Sequence, residues 1–423
     1  MMKNKSLTPQ IRFKGYDDEW MESSISEHFT LYSGTTPSRS IPNAFCGSVN
    51  WISSGELKPH YIGETKEKIT EEVFEKSSLR LLSSGLLVIA IYGLEAAGVR
   101  GTASITSVPT TISQACTAFI PQFNGKIETE FLYGWYKHNG NYIGTHFAQG
   151  TKQQNLKSEI INELSIAYPK EEEQKLIGSL LKNIDALIAD TERELDRLEK
   201  MKQASLQKMF PRFGASTPEI RFKEYTEPWI KGPLYNLLEI DNVRNSQNQY
   251  GRNDVLSVSG DFGLVNQIEY QGRSFAGASL SGYKITKEGQ VIYTKSPLKA
   301  QPYGIVKSNQ YGIGLLSPLY AIYNPKGNTC ADFIHYYFAP IARLNNYLRP
   351  LINKGAKNTL LISDETALLG EICYPENPTE QKCIANYFRN IDALISAKRQ
   401  KLEKLQNLKR SCLDKMFINT TAQ

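Results

Sequence analysis

The sequence predicts a mixed α/β (α+β) protein with two globular domains at opposite ends of a long antiparallel two-helix coiled coil. Three observations predict this fold. The chain contains an internal repeat, each repeat includes a long helix with a heptad pattern, and short strands fill the space between the repeated segments. Because the two units follow each other in the same order, the architecture is expected to have approximate two-fold symmetry.

The composition is that of an ordinary globular protein. The chain has 423 residues, of which 40% are hydrophobic and 22% charged, with a net charge of +6. These values exclude disordered, collagen-like and small disulfide-rich proteins. The 6 cysteines form no Cys-x-x-Cys pair, which argues against a metal site and favours reduced thiols. No apolar run is long enough to span a membrane, so we expect a cytoplasmic protein.

Two sequence segments occur twice. The Thr-Pro-x-Ile-Arg-Phe-Lys segment of residues 8–14 recurs at 217–223, and the Asn-Ile-Asp-Ala-Leu-Ile segment of 183–188 recurs at 390–395. Between these matched ends, residues 21–149 and 230–354 have no obvious similarity. One scaffold that is present twice with two unlike inserts indicates one architecture that presents two different surfaces.

Residues 170–210 and 378–417 are predicted to form long helices, because apolar side chains recur every three or four residues. A helix of about 40 residues is roughly 60 Å long, which exceeds the diameter of a small domain. Pairing of the two helices is therefore favoured, with each helix lying on its own domain as the alternative. Connectivity then makes the pair antiparallel. The predicted seam is Ile177, Leu180, Ile184, Leu187, Leu195, Leu198 and Met209, facing Ile384, Tyr387, Ile391, Ile395, Leu402, Leu405, Cys412 and Met416.

The inserts are predicted to consist of short strands punctuated by Gly and Pro, with a few helices. Strands are expected at 49–53, 85–92 and 117–120 in the first insert, and at 254–258, 290–294 and 318–323 in the second. Helices are expected at 131–138 and 330–346. The predicted boundaries are an N-terminal segment 1–20, a first globular domain 21–168, a helix 169–211, a linker with the repeated segment 212–229, a second globular domain 230–376 and a helix 377–418.

Common catalytic motifs are absent from the sequence. It contains no phosphate-binding loop, no Gly-x-Ser-x-Gly and no His-Glu-x-x-His motif. Together with the duplicated architecture, this absence favours a binding protein that is not an enzyme. Two alternatives remain open at this stage. One is a coiled-coil scaffold that assembles other subunits without touching nucleic acid, and the other is an enzyme whose active site has no familiar motif.

Three motifs carry a resemblance to a known family. They are Gly34-Thr35-Thr36-Pro37, the downstream segment 51–57, and the Pro-x-x-x-Glu-Gln-x-x-Ile stretch of 169–177 that leads into Ile-Asp-x-Leu-Ile. With the duplicated order of segments, they resemble the specificity subunit of type I restriction–modification enzymes. In the second copy, Pro378 lies only two places before Glu380, and the Gly-Thr-Pro turn has no clear counterpart.

The resemblance implies a function for each part. The globular domains would be target recognition domains, each reading one half of a bipartite, asymmetric site in double-stranded DNA. The helix pair would set the spacing and dock two methyltransferase subunits, and restriction (translocase) subunits would join that core. S-adenosylmethionine, ATP and Mg²⁺ would bind only to the partner subunits, so this chain is expected to hold no cofactor or metal. The helix starts are predicted to contact partners through Glu173, Gln174, Glu380 and Gln381.

Polar and basic side chains in loops are the candidates for contact with DNA, since such groups read base edges and bind phosphates. In the first domain the candidates are Thr36, Ser38, Arg39, Ser53, Ser54, Lys58, Lys152, Gln153 and Gln154. In the second domain they are Arg244, Asn245, Arg252, Lys295, Lys299, Lys354, Lys357 and Asn358.

Overall fold

The structure, a computed structural model, describes residues 7–93, 101–149, 154–212, 214–295, 301–354 and 360–418. The chain folds into two units. Unit 1 combines Met1–Arg193 with Gln400–Gln423, and unit 2 is Glu194–Arg399. Each unit therefore contains a part of both long helices. The domain boundaries predicted from the sequence are finer than this division and remain a prediction.

Unit 1 is built around a five-stranded sheet. The strands of unit 1 as a whole are β1 (Met21–Ser24), β2 (Phe29–Ser33), β3 (Val49–Ile52), β4 (Tyr61–Ile62), β5 (Glu67–Ile69), β6 (Leu87–Ala90), β7 (Tyr92–Gly93), β8 (Ala103–Thr106), β9 (Thr111–Ile112), β10 (Cys116–Pro121), β11 (Gln154–Asn155) and β12 (Ser165–Tyr168). Its helices, besides the long ones, are α1 (Glu71–Lys76), α2 (Thr129–His146) and α3 (Ser158–Glu163). The five strands follow the order β2-β10-β6-β8-β4, and only the β4–β8 pair in this sheet is parallel. Strand β6 is buried along its whole length, as its run of apolar residues predicts.

A second, smaller sheet of unit 1 has the order β5-β3-β9. Strand β3 pairs antiparallel with β5 and parallel with β9. The three strands predicted for the first insert correspond to β3, β6 and β10, so these predictions are confirmed.

Unit 2 contains a four-stranded sheet and several two-stranded ladders. Its strands are β13 (Ile230–Pro233), β14 (Leu238–Ile240), β15 (Leu256–Ser259), β16 (Gly263–Asn266), β17 (Lys284–Thr286), β18 (Val291–Tyr293), β19 (Val306–Ser308), β20 (Gly314–Leu316), β21 (Ala321–Pro325), β22 (Asn353–Lys354), β23 (Leu360–Leu361) and β24 (Glu371–Tyr374). Its short helices are α5 (Gln267–Gln271), α6 (Ala331–Phe338) and α7 (Ile341–Leu348). The sheet has the order β14-β21-β18-β19.

The predicted helix at 330–346 is interrupted. Helix α6 ends at Phe338 and α7 begins at Ile341, with Pro340 between them as the N-terminal cap of α7. Proline has no backbone N–H to donate and its ring clashes with the preceding turn, so a continuous helix through this residue would be strained. The prediction of one helix was therefore wrong at its centre.

The internal repeat extends further in three dimensions than in the sequence. In unit 1, β1 follows the first repeated segment and pairs antiparallel with β12, which precedes a long helix. In unit 2, β13 and β24 form the same pair at the equivalent positions. A short 3₁₀ turn follows β1 and another follows β13, at Ile25–Glu27 and Leu234–Asn236. The predicted globular domains 21–168 and 230–376 thus begin and end alike, although the inserts within them have no obvious sequence similarity.

The two long helices are α4 (Glu171–Lys208) and α8 (Pro378–Met416), which confirms both predicted helices. Their buried positions differ in detail from the predicted seam. Leu181 and Phe388 are buried, whereas Leu187 and its repeat equivalent Leu394 are 45% and 50% exposed. The buried side chains of α4 include Ile177, Leu181, Ile184, Thr191 and Ser205, and those of α8 include Ile384, Phe388, Ile391 and Ile395.

The helices contact each other within each unit. In unit 2, Glu194 is paired with Lys398, and Lys202 Nζ lies 2.5 Å from Asp392 Oδ1. From Glu194 to Lys202 the residue number rises along α4, while that of the paired residue on α8 falls from 398 to 392. The two helices therefore run in opposite directions within unit 2. In unit 1, Lys409 Nζ lies 2.5 Å from Asp185 Oδ1. Among the described residues, no helix is both long and apolar enough to cross a bilayer.

The end of each long helix fills a hydrophobic core. Phe417, just after α8, packs against Phe131 of α2 in unit 1, with ring centroids 5.2 Å apart. Phe210, just after α4, packs against Phe333 of α6 in unit 2 at 5.7 Å. These two phenylalanines occupy equivalent positions of the repeat, so each core is completed by the same kind of side chain.

Candidate nucleic-acid interface

The repeated N-terminal segments anchor the starts of the long helices. Arg12 donates two hydrogen bonds to the Glu173 carboxylate, at 3.0 and 2.8 Å. The equivalent Arg221 donates to Glu380 at 2.7 and 2.9 Å, and Glu380 also accepts from the Trp229 indole at 3.0 Å. A bidentate pair of this kind fixes both position and orientation. The repeated Arg and Glu are thus a structural clamp within each unit.

The adjacent glutamines also bond within the chain. Gln174 donates to the carbonyls of Lys126 and Pro169 and accepts from the Glu128 N–H. Gln381 accepts from the Cys330 N–H and donates to the Pro375 carbonyl. Contact with a partner subunit requires side chains at the surface, but Glu173, Gln174, Glu380 and Gln381 are no more than 2% exposed. The structure therefore corrects the prediction that these four residues face partners.

The loop after β2 lies against the smaller sheet of unit 1. Trp51 of β3 donates its indole N–H to the Thr35 carbonyl at 3.1 Å, which ties the loop to that sheet. Arg39 is exposed, stacks on Phe45 at 4.5 Å and donates two hydrogen bonds to Glu67 at 2.8 and 2.9 Å. The guanidinium holds the pKa of the Glu67 carboxyl below its ordinary value. Arg39 is thus preorganised at the surface.

The five other candidates in this part of unit 1 whose side chains are described differ in exposure. The Ser38 hydroxyl is exposed and lies 2.7 Å from the Ser40 hydroxyl, while Thr36 is half-buried. Among residues 53–58, Ser53 donates its hydroxyl to Glu56 at 2.8 Å and caps a short 3₁₀ turn. Ser54 is half-buried and Lys58 is exposed. Lys58 is therefore the accessible cation of this turn, and Ser53 has a structural role.

Gly34 of the Gly-Thr-Thr-Pro turn lies against the backbone of β9. A Cβ atom at Gly34 would lie 1.7 Å from the Ile112 carbonyl oxygen and 2.4 Å from its carbonyl carbon. We expect Gly34→Ala to destabilise unit 1 by about 3 kcal/mol, because a backbone clash cannot be relieved by a rotamer change. Gly55→Ala is the matched control, since no atom lies within 4 Å of its added Cβ. Denaturant midpoints should fall for Gly34→Ala alone, and equal midpoints for both variants would contradict the close approach.

The candidates around 244–252 in unit 2 surround one exposed loop, 277–282. Arg244 donates to the Gly282 carbonyl at 2.9 Å, and Arg252 donates to the Gly277 carbonyl at 3.2 Å. Each guanidinium has five N–H donors, so both exposed arginines keep donors for a ligand. Asn245 is only 1% exposed and bonds to the backbone of Tyr250 and Leu280. The structure corrects the prediction for Asn245, which holds the loop in place.

The candidate Lys295 is held by an acidic neighbour. Its Nζ lies 2.6 Å from Asp364 Oδ1, while the Nζ of the buried Lys284 lies 2.8 Å from Asp364 Oδ2. Burial raises the pKa of Asp364, but the hydrogen bonds from both lysines outweigh it and leave the pKa below its ordinary value. The Lys295 backbone is left-handed, with φ of 51°. Lys295 is thus fixed at the base of its loop, with 18% of its side chain exposed.

For several candidates the structure describes either no atoms or the backbone alone. Lys152, Gln153, Lys299, Lys357 and Asn358 fall outside the described ranges, and for Gln154 and Lys354 only the backbone is described. Gln154 begins β11 and Lys354 ends β22. Contact of these residues with DNA stays a prediction.

Sequence reasoning missed the loop 277–282, which reads Gly-Ala-Ser-Leu-Ser-Gly. Its Ser279 is exposed and Ser281 half-buried, with their hydroxyls 3.0 Å apart, and the loop lies between Arg244 and Arg252. Two glycines flanking two serines are a composition signal for a loop with polar backbone and hydroxyl groups. That signal was available, but the proximity of the two arginines depends on the tertiary fold.

Comparisons with known proteins agree with the sequence resemblance. Residues 17–200 match the family model described as the type I restriction modification DNA specificity domain. The MjaIX specificity subunit of a type I restriction enzyme from Methanocaldococcus jannaschii is 24% identical over 294 residues, which cover 66% of this chain and 66% of that protein. The MjaVIII specificity subunit from the same organism is 21% identical over 94% of this chain and 92% of that protein.

The fold has a counterpart among solved structures. The crystal structure of the type I restriction–modification S subunit from M. genitalium superposes with a TM-score of 0.61, at 12% identity. The superposition covers 98% of this chain and all (100%) of that one. At this identity the likeness concerns the fold alone, but it extends over the whole chain. In its matched domain and its relatives, the chain is similar to the specificity subunits of type I restriction–modification enzymes.

Proposed function

We propose that this chain is the DNA-recognition subunit of a type I restriction–modification complex, in which each unit reads one half of a bipartite, asymmetric site in double-stranded DNA. The observation that carries this proposal is one scaffold used twice with two unlike surfaces. The strand pairs β1–β12 and β13–β24 and the two Arg–Glu clamps are equivalent, while the loops they support differ. Equal frames with unequal loops suit the reading of two different half-sites.

The exposed cations of each unit support contact with DNA. Arg39 and Lys58 lie at the surface of unit 1, and Arg244 and Arg252 at the surface of unit 2. Arginine can donate two parallel hydrogen bonds to guanine or phosphate, while lysine contributes a point charge to phosphates. We therefore infer that these four side chains and loop 277–282 contact DNA directly.

We infer that the two long helices pair antiparallel along their length and hold the recognition domains at opposite ends of a coiled coil. The inference is supported by buried residues three or four positions apart, at Ile177, Leu181 and Ile184 of α4 and at Ile384, Phe388, Ile391 and Ile395 of α8, and by the ion pairs of each unit. A helix of about 40 residues spans roughly 60 Å, which is one to two turns of B-DNA. In this arrangement the helix length sets the spacing between half-sites.

We also propose that each unit offers an apolar pair for docking a methyltransferase subunit. Leu187 and Leu408 of unit 1 are 45% and 49% exposed, and each lies within two residues in sequence of a member of the Asp185–Lys409 bridge. In unit 2, Leu394 and Met201 are 50% and 40% exposed, next to the Asp392–Lys202 bridge.

The two apolar pairs are equivalent in the repeat. Leu187 corresponds to Leu394, and Met201 corresponds to Leu408. Equivalent exposed apolar pairs suit two copies of one partner, because each copy can use the same contact surface. These pairs replace the buried helix-start residues as the candidate docking sites.

Catalysis is assigned by this proposal to the partners. The methyltransferase subunits would bind S-adenosylmethionine, and the restriction subunits would bind ATP and Mg²⁺. This chain would then contribute recognition and geometry.

An exchange of one domain tests the proposal. Replacing residues 21–168 by the corresponding segment of a family member with a known different target should change one half of the methylated sequence and preserve the other. Methylation-sensitive sequencing of host DNA reads both halves at once. The matched exchange of 230–376 should change the opposite half. A scaffold that does not read DNA would leave both halves unchanged, and that result would overturn the proposal.

A further inference from the structure

His60 of unit 1 bridges two acidic residues from different helices. The residue precedes β4, and its Nε2 lies 2.8 Å from Glu130 Oε2 of α2. Its Nδ1 lies 2.8 Å from Asp185 Oδ2 of α4. The ring stacks on Tyr133 and Tyr61, with centroids 4.1 and 4.6 Å away, and its side chain is 9% exposed. The imidazole thus joins the sheet of unit 1 to two helices.

The two short contacts determine the protonation state that satisfies this geometry. An ionised carboxylate only accepts hydrogen bonds, and a neutral imidazole has one N–H to donate. Both ring nitrogens of His60 face a carboxylate oxygen, so only the imidazolium donates at both positions. When the ring is neutral, one nitrogen lone pair must face a carboxylate oxygen. The bridge is therefore complete in the protonated state and broken on one side in the neutral state.

The neighbours of Glu130 and Asp185 favour ionised carboxylates. The Tyr61 hydroxyl donates to Glu130, whose Oε1 also lies 3.8 Å from Lys182 Nζ on α4. Lys409 of α8 lies 2.5 Å from Asp185. Burial raises the pKa of both acids, but the hydrogen bonds from His60 and their other partners outweigh burial and leave both pKa values below the ordinary ones.

The charge balance around His60 also favours the imidazolium. Burial alone would lower its pKa, but hydrogen bonds to Asp185 and Glu130 outweigh burial, and the pKa is raised above its ordinary value. Lys137 of α2 is a half-buried base nearby, and its Nζ donates to the Gly101 carbonyl at 2.8 Å. Burial, and then repulsion by Lys409, lowers the Lys137 pKa to about 8. With increasing pH, Lys137 therefore loses its charge before an ordinary lysine does.

Unit 2 holds the equivalent aspartate differently. Asp392 accepts from the Tyr336 hydroxyl at 2.9 Å and pairs with Lys202 at 2.5 Å. The nearby His335 ring is half-buried and lies between Lys307 and Ser308, at 3.2 and 3.3 Å. Burial, with repulsion by Lys307, keeps the pKa of His335 well below its ordinary value, so it stays neutral. The hydroxyl bridge of unit 2 therefore does not depend on a protonated imidazole.

We propose that His60 is a positioning residue that fixes the recognition domain of unit 1 onto the long helices through a proton-dependent bridge, while unit 2 lacks this dependence. The consequence for DNA reading rests on the proposed function; the bridge itself does not. As pH rises above about 6.5 and through the raised pKa of His60, the stabilisation by the bridge is lost. Glu130 and Asp185 weaken the bridge when they become protonated, which happens only when pH falls below about 4.

The physical test titrates the histidines of the full chain. The protein contains 5 histidines, so the ring proton resonances can be resolved by NMR and assigned with His60→Gln. We expect His60 to titrate above the free-histidine value, and Asp185→Asn and Glu130→Gln each to lower its midpoint. A His60 midpoint at or below that of free histidine would overturn the proposal. This result does not depend on DNA binding.

A second measurement follows the consequence of the bridge. The amide hydrogen exchange rates of β4 and β8 are measured for the wild type and for His60→Gln and corrected for the intrinsic pH dependence. The ratio of the wild-type rate to the variant rate should rise about tenfold from pH 6 to pH 9. Tyr336→Phe is the matched variant in unit 2, and its effect on exchange should be the same at both pH values. A wild-type profile that parallels His60→Gln at every pH would contradict the proposal.

The functional consequence is measured on the complex assembled with its methyltransferase partners. DNA duplexes with a substitution in one half-site or the other, chosen after methylation mapping, are compared for wild type and His60→Gln. For each duplex, the DNA affinity of the wild type is divided by that of His60→Gln. This ratio should depend on pH when the half-site read by unit 1 is intact, and it should lose that dependence when this half-site is substituted. Equal pH effects on both halves would overturn the link to recognition, while the NMR titration would still decide the bridge.

Discussion

Arg221→Ala is expected to destabilise unit 2 by about 3–5 kcal/mol, because it leaves the Glu380 carboxylate buried without its cation. The Glu380 side chain is 2% exposed and receives two hydrogen bonds from Arg221, at 2.7 and 2.9 Å. The Trp229 indole remains as a donor, but a neutral N–H does not neutralise a buried charge. The start of α8 is thus expected to lose its anchor.

The measurement should distinguish the two units. The chain has 4 tryptophans, of which Trp229 alone lies in unit 2, so fluorotryptophan NMR during urea unfolding follows each unit separately. Lys231→Ala is the control, since it breaks an exposed pair with Glu371 and should cost no more than about 0.5 kcal/mol. If the Trp229 transition of Arg221→Ala matched that of the control, the clamp would not be a major source of stability. Arg12→Ala should affect unit 1 in the same way.

The double substitution Met201→Asp with Leu394→Asp is expected to weaken the docking of one methyltransferase copy by at least about a hundredfold. Both side chains are exposed on the helices of unit 2, and burying two carboxylates in an apolar contact is strongly unfavourable. The equivalent pair Leu187 and Leu408 in unit 1 is untouched. Native mass spectrometry should therefore detect one methyltransferase copy per chain, where the proposed function predicts two for the wild type.

Two matched variants make this result interpretable. Leu187→Asp with Leu408→Asp should also retain one copy, and all four substitutions together should retain none. Leu369→Asp changes a leucine of unit 2 that is 57% exposed and lies outside the long helices, so it should bind two copies. Two retained copies in both double variants would exclude these apolar pairs as docking sites.

The regular elements could be predicted from the sequence because they depend on local patterns. The heptad spacing and the prolines near the helix starts predicted α4 and α8 within one or two residues. Strands β3, β6 and β10 followed from apolar and β-branched runs. The break between α6 and α7 at Pro340 was available from the sequence as well, and it was missed because the apolar pattern continues on both sides.

Side-chain roles were harder to predict than elements. Glu173, Glu380 and Asn245 are polar residues in a plausible position for contact with a ligand, but all three are buried and bonded within the chain. A polar side chain can satisfy its hydrogen bonds inside the protein as well as outside, and sequence alone does not distinguish the two. The assignment of Leu187 to the seam was also wrong. Successive side chains point about 100° apart around a helix, so an error of one residue in the predicted spacing places an exposed residue in the seam.

The duplicated frame, the long helices and the resemblance to specificity subunits follow from the sequence, because periodicity and repetition are properties of the chain that need no contacts. Which residues meet depends instead on how the elements pack. Arg12 reaches Glu173 across 161 positions, and His60 reaches Glu130 and Asp185 across 70 and 125. Such pairs form between residues brought together by the packing of several elements, and no local pattern records that packing.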